Sequence, residues 1–371
     1  MSAKIRGGHE PAAVRVRLRL LRLAPWLSAR EATERAARRG AGRDEEYVFR
    51  LLTLGASMTW LSVIIPCRNG ERFLSDALQS LANQRDHGIE IIFVDGSTND
   101  ESLKLIQKFS NRLNILSFSR PELNSWMAKS NFGVERARSE YVCILHVDDM
   151  WLHERCCFVR HWLLSYPHAV MHLHPCYFID EVGHSLGELR CPLPDDGNPI
   201  DTHMFMERLI VQNFIGISSP VILRETYLKV GGLDEDLWYT ADWDLWMKIA
   251  SEGNVFYHNE PLAGFRINRE VLTIAASKDS EYFKKQHEIV VDRYIGAIKL
   301  LYRARMYRMA VASLEMNVAL AMALTGKFKG LFQVLWMLLA LGPGDLYRYF
   351  KYSRIADRLI PRIRACAAGR L

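Results

Sequence analysis

The run Tyr141-Val-Cys-Ile-Leu-His-Val-Asp-Asp149 constrains this chain most. Tyr141 to Leu145 are all apolar or aromatic, which suits a strand buried on both faces of a parallel sheet. The run then ends in two adjacent carboxylates. Acids at the carboxyl end of such a strand lie where open α/β sheets bind ligands. Two close negative charges repel unless donors or a cation compensate them, and a hard divalent ion carrying phosphate is one answer. A solvated Asp-Asp turn is the other reading.

The flanking sequence supports the sheet. Residues 61–66 and 89–94 read as buried strands, the first stopped by Pro66, and 113–118 as a third. Between them Phe73, Ala77, Leu78 and Leu81, then Leu103, Ile106 and Phe109, recur at helical spacing. Ser125 is placed to cap a helix over 126–136. Short alternation of strand and helix means a parallel sheet with right-handed crossovers. Further on, 154–165 reads as helix, 169–173 as strand, and 214–223 as strand with Pro220 marking an irregularity or an edge. Residues 224–230 read as a helix stopped by Gly231-Gly232. Asp242 opens a helix to 249, and 255–257 and 264–267 are short strands. Beyond 281 the pattern is helical, over 294–324, 328–341 and 347–365.

Charge divides the chain in three. Residues 1–59 hold 12 Lys/Arg against 6 Asp/Glu, residues 60–298 hold 23 against 33, and residues 299–371 hold 13 against 3. The acidic centre excludes nucleic acid as its substrate, since polyanion binding needs a basic surface. The basic C-terminal helices suit an anionic bilayer surface, or a solvated face of helices packed on the domain. The longest apolar run, 331–341, is interrupted by Gln333 and is about half of what spans a bilayer. Seven cysteines without paired metal-ligand spacing read as free thiols of a reducing compartment. The expectation is a cytoplasmic protein, at the inner face of the membrane if the basic helices touch lipid. The expected organisation is a basic, poorly ordered extension over 1–57, an α/β domain over 58–280, and a basic amphipathic helical region over 281–371.

Four motifs stand in order: Pro66-Cys-Arg-Asn69, Val94-Asp-Gly-Ser-Thr-Asn-Asp100, Leu145-His-Val-Asp-Asp149, and Gly231-Gly-Leu-Asp-Glu-Asp236 leading to Ala241-Asp-Trp-Asp-Leu-Trp246. Together they resemble the inverting GT-A glycosyltransferases of family 2, over about residues 61–269. The resemblance implies a GT-A (Rossmann-like), mostly parallel sheet flanked by helices, with a C-terminal helical appendage. It implies transfer of a sugar from a UDP- or GDP-sugar to a hydroxyl of a saccharide or lipid-linked saccharide, in cell-surface polysaccharide or glycolipid synthesis, with Mn2+ or Mg2+.

Residue by residue, the likeness assigns Asp242 as catalytic base. An acid at a helix start accepts backbone N–H bonds that favour its charged form, and an N-cap asks for the same residue. Pro66, Arg68, Asn69, Asp95, Ser97, Asn131, Asp148 and Arg266 fall on the nucleotide-sugar side, Arg266 facing the diphosphate. Asp148 and Asp149 fall on the metal, while Asp234, Glu235 and Trp243 fall on the acceptor side. Trp238 and Trp243 are candidates to stack on sugar, and Trp246 at helical spacing suits the core. The chain departs from the common pattern at three places. His146 stands for an Asp and is either a ligand or an internally hydrogen-bonded histidine. Ala241 stands for a Glu, and Asn268 for a His. Two rivals remain: a sugar-phosphate nucleotidyltransferase, for which the loop after the first strand is poor in glycine, and a non-catalytic binding protein that kept the fold.

Overall fold

A computed structural model describes residues 59–267, 280–323 and 328–367; the extension over 1–57 and Asn268 lie outside the described residues. The chain opens with β1 (Leu61–Cys67), α1 (Glu71–Ala82), β2 (Ile89–Asp95), α2 (Glu101–Gln107), β3 (Ile115–Ser119), α3 (Trp126–Arg136) and β4 (Tyr141–Ile144). Shorter elements follow: β5 (Met150–Trp151), α4 (Arg155–Ser165), β6 (Ala169–Leu173), β7 (Cys176–Ile179), β8 (Ser185–Leu189), α5 (Thr202–Leu209), β9 (Val221–Leu223) and α6 (Arg224–Lys229). Then come α7 (Ala241–Ala250), β10 (Asn254–Tyr257), β11 (Ala263–Arg266), α8 (Ser280–Tyr294), α9 (Leu300–Ala323), α10 (Lys329–Ala340), α11 (Pro343–Ser353) and α12 (Ile355–Ala367).

The central sheet runs β10-β6-β9-β4-β1-β2-β3. β1 to β4 are mutually parallel, and every residue of β1, β2 and β4 is buried, as uninterrupted apolar runs require when helices cover both faces. Ser125 caps α3, its Oγ accepting the Ala128 N–H at 2.9 Å. Gly133 lets α3 sit close on β1, since a Cβ there would lie 2.4 Å from Ile64 Cγ2.

One expectation about proline needs correcting, and for Pro220 the structure has the irregularity, not the edge. Pro66 does not stop β1, which runs on to Cys67 with Pro66 opposite Val94. Pairing with β4 has already ended at Ile64, so the missing N–H removes no ladder bond on that side. Of the expected strand over 214–223 only Val221–Leu223 forms, and it is interior rather than at an edge. β9 lies antiparallel between β4 and β6, with Pro220 just before it. Residues 213–219 run irregularly instead, and they matter for the site.

A second sheet, β5-β11-β7-β8, sits beyond the turn after β4. β5 pairs antiparallel with β11, Met150 opposite Gly264, which carries Arg266 up to the Asp148-Asp149 turn. The C-terminal helices share the main core: Val290, Met306, Met309, Val334, Leu338 and Tyr349 belong to one hydrophobic cluster with Ile64, Val94 and Trp246. The expected helix over 347–365 is two helices, α11 and α12, broken where Arg354 takes a φ of +49°.

Candidate active site

Three loops at the carboxyl ends of the parallel strands build one edge of the site. After β2, Asp95 is 3% exposed and its Oδ1 accepts the Ser97 N–H at 2.9 Å and the Ser97 hydroxyl at 2.5 Å. Ser97 Oγ in turn accepts the Asn69 N–H at 2.8 Å, and Asn69 Oδ1 accepts the Thr98 N–H at 3.2 Å. Asn69 adopts a φ of +51°, a strain that Asn tolerates better than most residues. The two loops are thus laced together, with Pro66 in β1 beneath them and exposed Arg68 donating to Asn124 O at 3.4 Å. Asp95, Ser97 and Asn69 therefore form one hydrogen-bonded unit.

At the end of β4, Asp149 is 2% exposed and both its oxygens are engaged. Oδ2 accepts the Ser218 hydroxyl at 2.5 Å and Oδ1 the Arg266 backbone N–H at 3.0 Å. Burial, with the neighbouring charge of Asp148, pushes the Asp149 carboxyl up to about 8. Asp148 is half-buried. Its neighbour His146 packs edge-on to Trp126 at 5.0 Å, and burial lowers its pKa against the pull of Asp148. His146 Nε2 is buried without a hydrogen-bond partner among the described residues, so the expected internal hydrogen bond is not met at that nitrogen.

Arg266 is 1% exposed and its guanidinium is engaged inside the chain. Its Nε donates to Asp148 O at 2.7 Å, one terminal nitrogen to Asp180 O at 3.0 Å and Glu181 O at 2.5 Å, and the other to Asp76 Oδ2 at 3.0 Å. The guanidinium also stacks over Phe73 at 4.6 Å. It is a brace behind the acid turn, because separated carbonyls converge there and only Arg's fork meets them all.

Asp242 lies in the first turn of α7. Thr240, not Asp242, occupies the cap position. Asp242 Oδ1 accepts the Trp243 N–H at 2.7 Å and Oδ2 accepts Asn213 Nδ2 at 3.0 Å. Both bonds favour the charged form, yet burial outweighs them and the carboxyl is pushed up to about 6. The expectation of a net preference for charge is thereby reversed.

Asn213 and Ser218 link the two acids. Asn213 holds Asp242 and Ser218 holds Asp149, and the five-residue step between them spans at most about 18 Å fully extended. Phe214, Ile215 and Ile217 within that step are buried, fixing it as a floor between the carboxylates. Sequence reasoning missed both residues, since their stretch carries strand-like apolar character.

The remaining assigned residues have contacts of their own. Asn131 makes four hydrogen bonds, donating to Leu233 O and Glu235 Oε1 and accepting from Tyr227 Oη and the Leu233 N–H. It staples α3 to the loop after Gly232, which has a φ of +65° and no room for a Cβ, 2.5 Å from Asn131 Oδ1. Trp243 is 3% exposed and its indole donates to Leu209 O at 2.9 Å, so it packs in the core and offers no stacking face to an acceptor. Trp246 is wholly buried, as its spacing implied. Trp238 stays half-buried, stacked on Tyr282 at 6.2 Å. Asp234 pairs with Arg293 at 2.9 Å. Burial works to raise its pKa, but Arg293 outweighs this and holds it below the usual carboxylate value. Glu235 is exposed. Among the described residues no three His, Cys, Asp or Glu gather as a metal cluster, and the six cysteines with described side chains are free thiols.

The mostly parallel sheet with acids at the ends of its strands is a GT-A fold. Residues 62–184 match the sequence model of Glycosyl transferase family 2. An uncharacterized glycosyltransferase of Haemophilus influenzae is 26% identical over 245 residues, covering 64% of this chain and 78% of the relative. The poly(ribitol-phosphate) beta-N-acetylglucosaminyltransferase TarS of Staphylococcus aureus is 33% identical over 96 residues, 25% of this chain and 17% of that one. A mannosyltransferase of Pyrobaculum calidifontis, solved with GDP-Man and Mn2+, shares the fold at a TM-score of 0.51 and 14% identity, covering 89% of this chain and 97% of that one. Over residues 62–184 the chain is thus similar to family 2 glycosyltransferases.

Proposed function

We propose that the protein is an inverting glycosyltransferase that moves a sugar from a UDP- or GDP-sugar to a hydroxyl of a saccharide or lipid-linked saccharide, in cell-surface polysaccharide or glycolipid synthesis. The observation that supports this reading is the Asn213–Ser218 step, whose two ends hydrogen-bond Asp242 and Asp149 and whose own backbone spans at most about 18 Å. Asp242 removes the proton from the acceptor hydroxyl as that oxygen attacks the anomeric carbon. The bond from that carbon to the diphosphate oxygen breaks, and its electron pair leaves with the nucleoside diphosphate. A carboxyl pushed up to about 6 is a better base than an ordinary one and is still ionised at neutral pH.

Asp95, Ser97 and Asn69 line the nucleotide end of this reading. Asp148, half-buried beside a carboxyl that burial keeps protonated, is the residue to hold Mn2+ or Mg2+, with His146 Nε2 as the second donor. Such an ion, when bound, supplies positive charge to the departing diphosphate. Asp149 serves the turn instead, its oxygens being held by Ser218 and the Arg266 backbone. Asp234 and Glu235 stand on the acceptor side. A lipid-linked acceptor is met at its bilayer, so peripheral membrane contact through the C-terminal helices belongs to the same reading.

The test is a thermal-shift screen of UDP, GDP and their sugars with and without Mn2+, followed by NMR of the product anomer. Ligand binding to the native state raises the melting temperature. A shift with one nucleotide series and an inverted product support the reading; no shift with any nucleotide, or retained configuration, sinks it.

A further inference from the structure

We infer that α10 and α11 form a face that lays this protein on an anionic bilayer. Phe332, Leu335, Trp336 and Leu339 follow one side of α10 at spacings of three and four residues. They are 70%, 54%, 74% and 55% exposed, and Phe328, just before the helix, is 56% exposed. The opposite side carries Val334 and Leu338, which are buried in the core where α10 packs on α9. On the neighbouring α11, Tyr347 and Phe350 lie exposed beside Lys351. Soluble surfaces rarely leave so many large apolar side chains contiguous unless something covers them.

Charge decides what covers this face. No Asp or Glu occurs from 316 to 344. Exposed Lys329 stands one turn before Phe332 on the same side of α10. Asp345, the acid nearest in sequence, is held by Arg305 at 3.1 Å, Arg308 at 3.6 Å and Arg348 at 2.9 Å. An apolar stripe with a basic margin complements acyl chains below phosphate headgroups, with Trp and Phe at the boundary and lysine amines reaching up to the phosphates. A second copy would bring like charges together in a two-fold contact. The 12-residue helix is about 18 Å long, against a hydrocarbon core of about 30 Å, so it lies in the interface. None of the described helices is long and apolar enough to cross a membrane. The inference rests on the membrane contact in the proposed function and assigns it to this surface, whatever sugar is transferred.

Co-sedimentation of the full chain with vesicles tests it, using phosphatidylcholine alone and phosphatidylcholine mixed with phosphatidylglycerol. The wild type is expected to partition onto the anionic vesicles about tenfold or more above the neutral ones, with loss at high salt. Phe332→Ser with Trp336→Ser removes binding to both. Lys329→Glu with Lys351→Glu removes the anionic preference. Nucleotide-induced thermal shifts of both variants match the wild type, which separates a failed face from a failed active site. A wild type left in the supernatant with both vesicles overturns the inference. So does undiminished binding by the Ser variant, or a dimer in light scattering that the Ser substitutions split.

Discussion

Asp149 and Asp242 stand at opposite ends of one buried floor and are held in contrasting ways. Asp149 lies in a charged surrounding, with Asp148 adjacent and the Arg266 brace behind, and is pushed up to about 8. Among the described residues Asp242 accepts from neutral donors, Asn213 and a backbone N–H, and is pushed up to about 6. Burial raises both, but the like charge beside Asp149 raises it further. Asp149 is therefore held mostly neutral near pH 7, while Asp242 stays mostly ionised and able to take up a proton.

Removing the brace should have the largest effect on stability. Arg266→Met strands three backbone carbonyls and Asp76, and is expected to cost about 3–5 kcal/mol in chemical denaturation. An unchanged midpoint would mean that the turn holds itself. At the other end, Asn213→Ala removes a hydrogen bond to the ionised Asp242, worth about 1.5–3 kcal/mol, so the acid limb of kcat/KM should move up by about one pH unit or more. A limb that stays at about 6 would detach Asn213 from the base.

The pH dependence of stability sharpens the contrast. Asp149 binds a proton more tightly folded than unfolded, so its contribution is full below the ordinary carboxylate value and is lost as pH rises through about 8. The slope is at most about 1.4 kcal/mol per pH unit for one proton. Asp149→Asn should flatten that decline; an equally steep fall in the variant would assign it to another group. Glu235→Gln should change least, within about 0.5 kcal/mol of stability, because Glu235 is exposed and outside the buried floor. A loss of donor binding in that variant would move the floor's boundary outward.

The same contrast explains what could be read from the sequence. β1 to β4, the Ser125 cap and the Gly231-Gly232 stop were legible because local periodicity and turn chemistry decide them. The positions of Asp95 and Asp148 at strand ends and of Asp242 in a helix's first turn were legible because motif order follows element order in a parallel sheet. Arg266 was legible as a charge but not as a brace, since the carbonyls of Asp148, Asp180 and Glu181 meet only in the folded chain. Asn213 and Ser218 were hidden in a stretch with strand-like composition that the reversal into β9 leaves irregular. Trp243 and Asn131 sit within family-like motifs, yet long-range hydrogen bonds to Leu209 and Leu233 turn them to structural use.

The most direct measurement of the central claim is sugar transfer by Asp242→Asn at saturating donor, with donor affinity measured alongside. The account predicts kcat lower by about 10²–10⁴-fold, with donor affinity within about twofold of wild type. Turnover at the wild-type rate would contradict it.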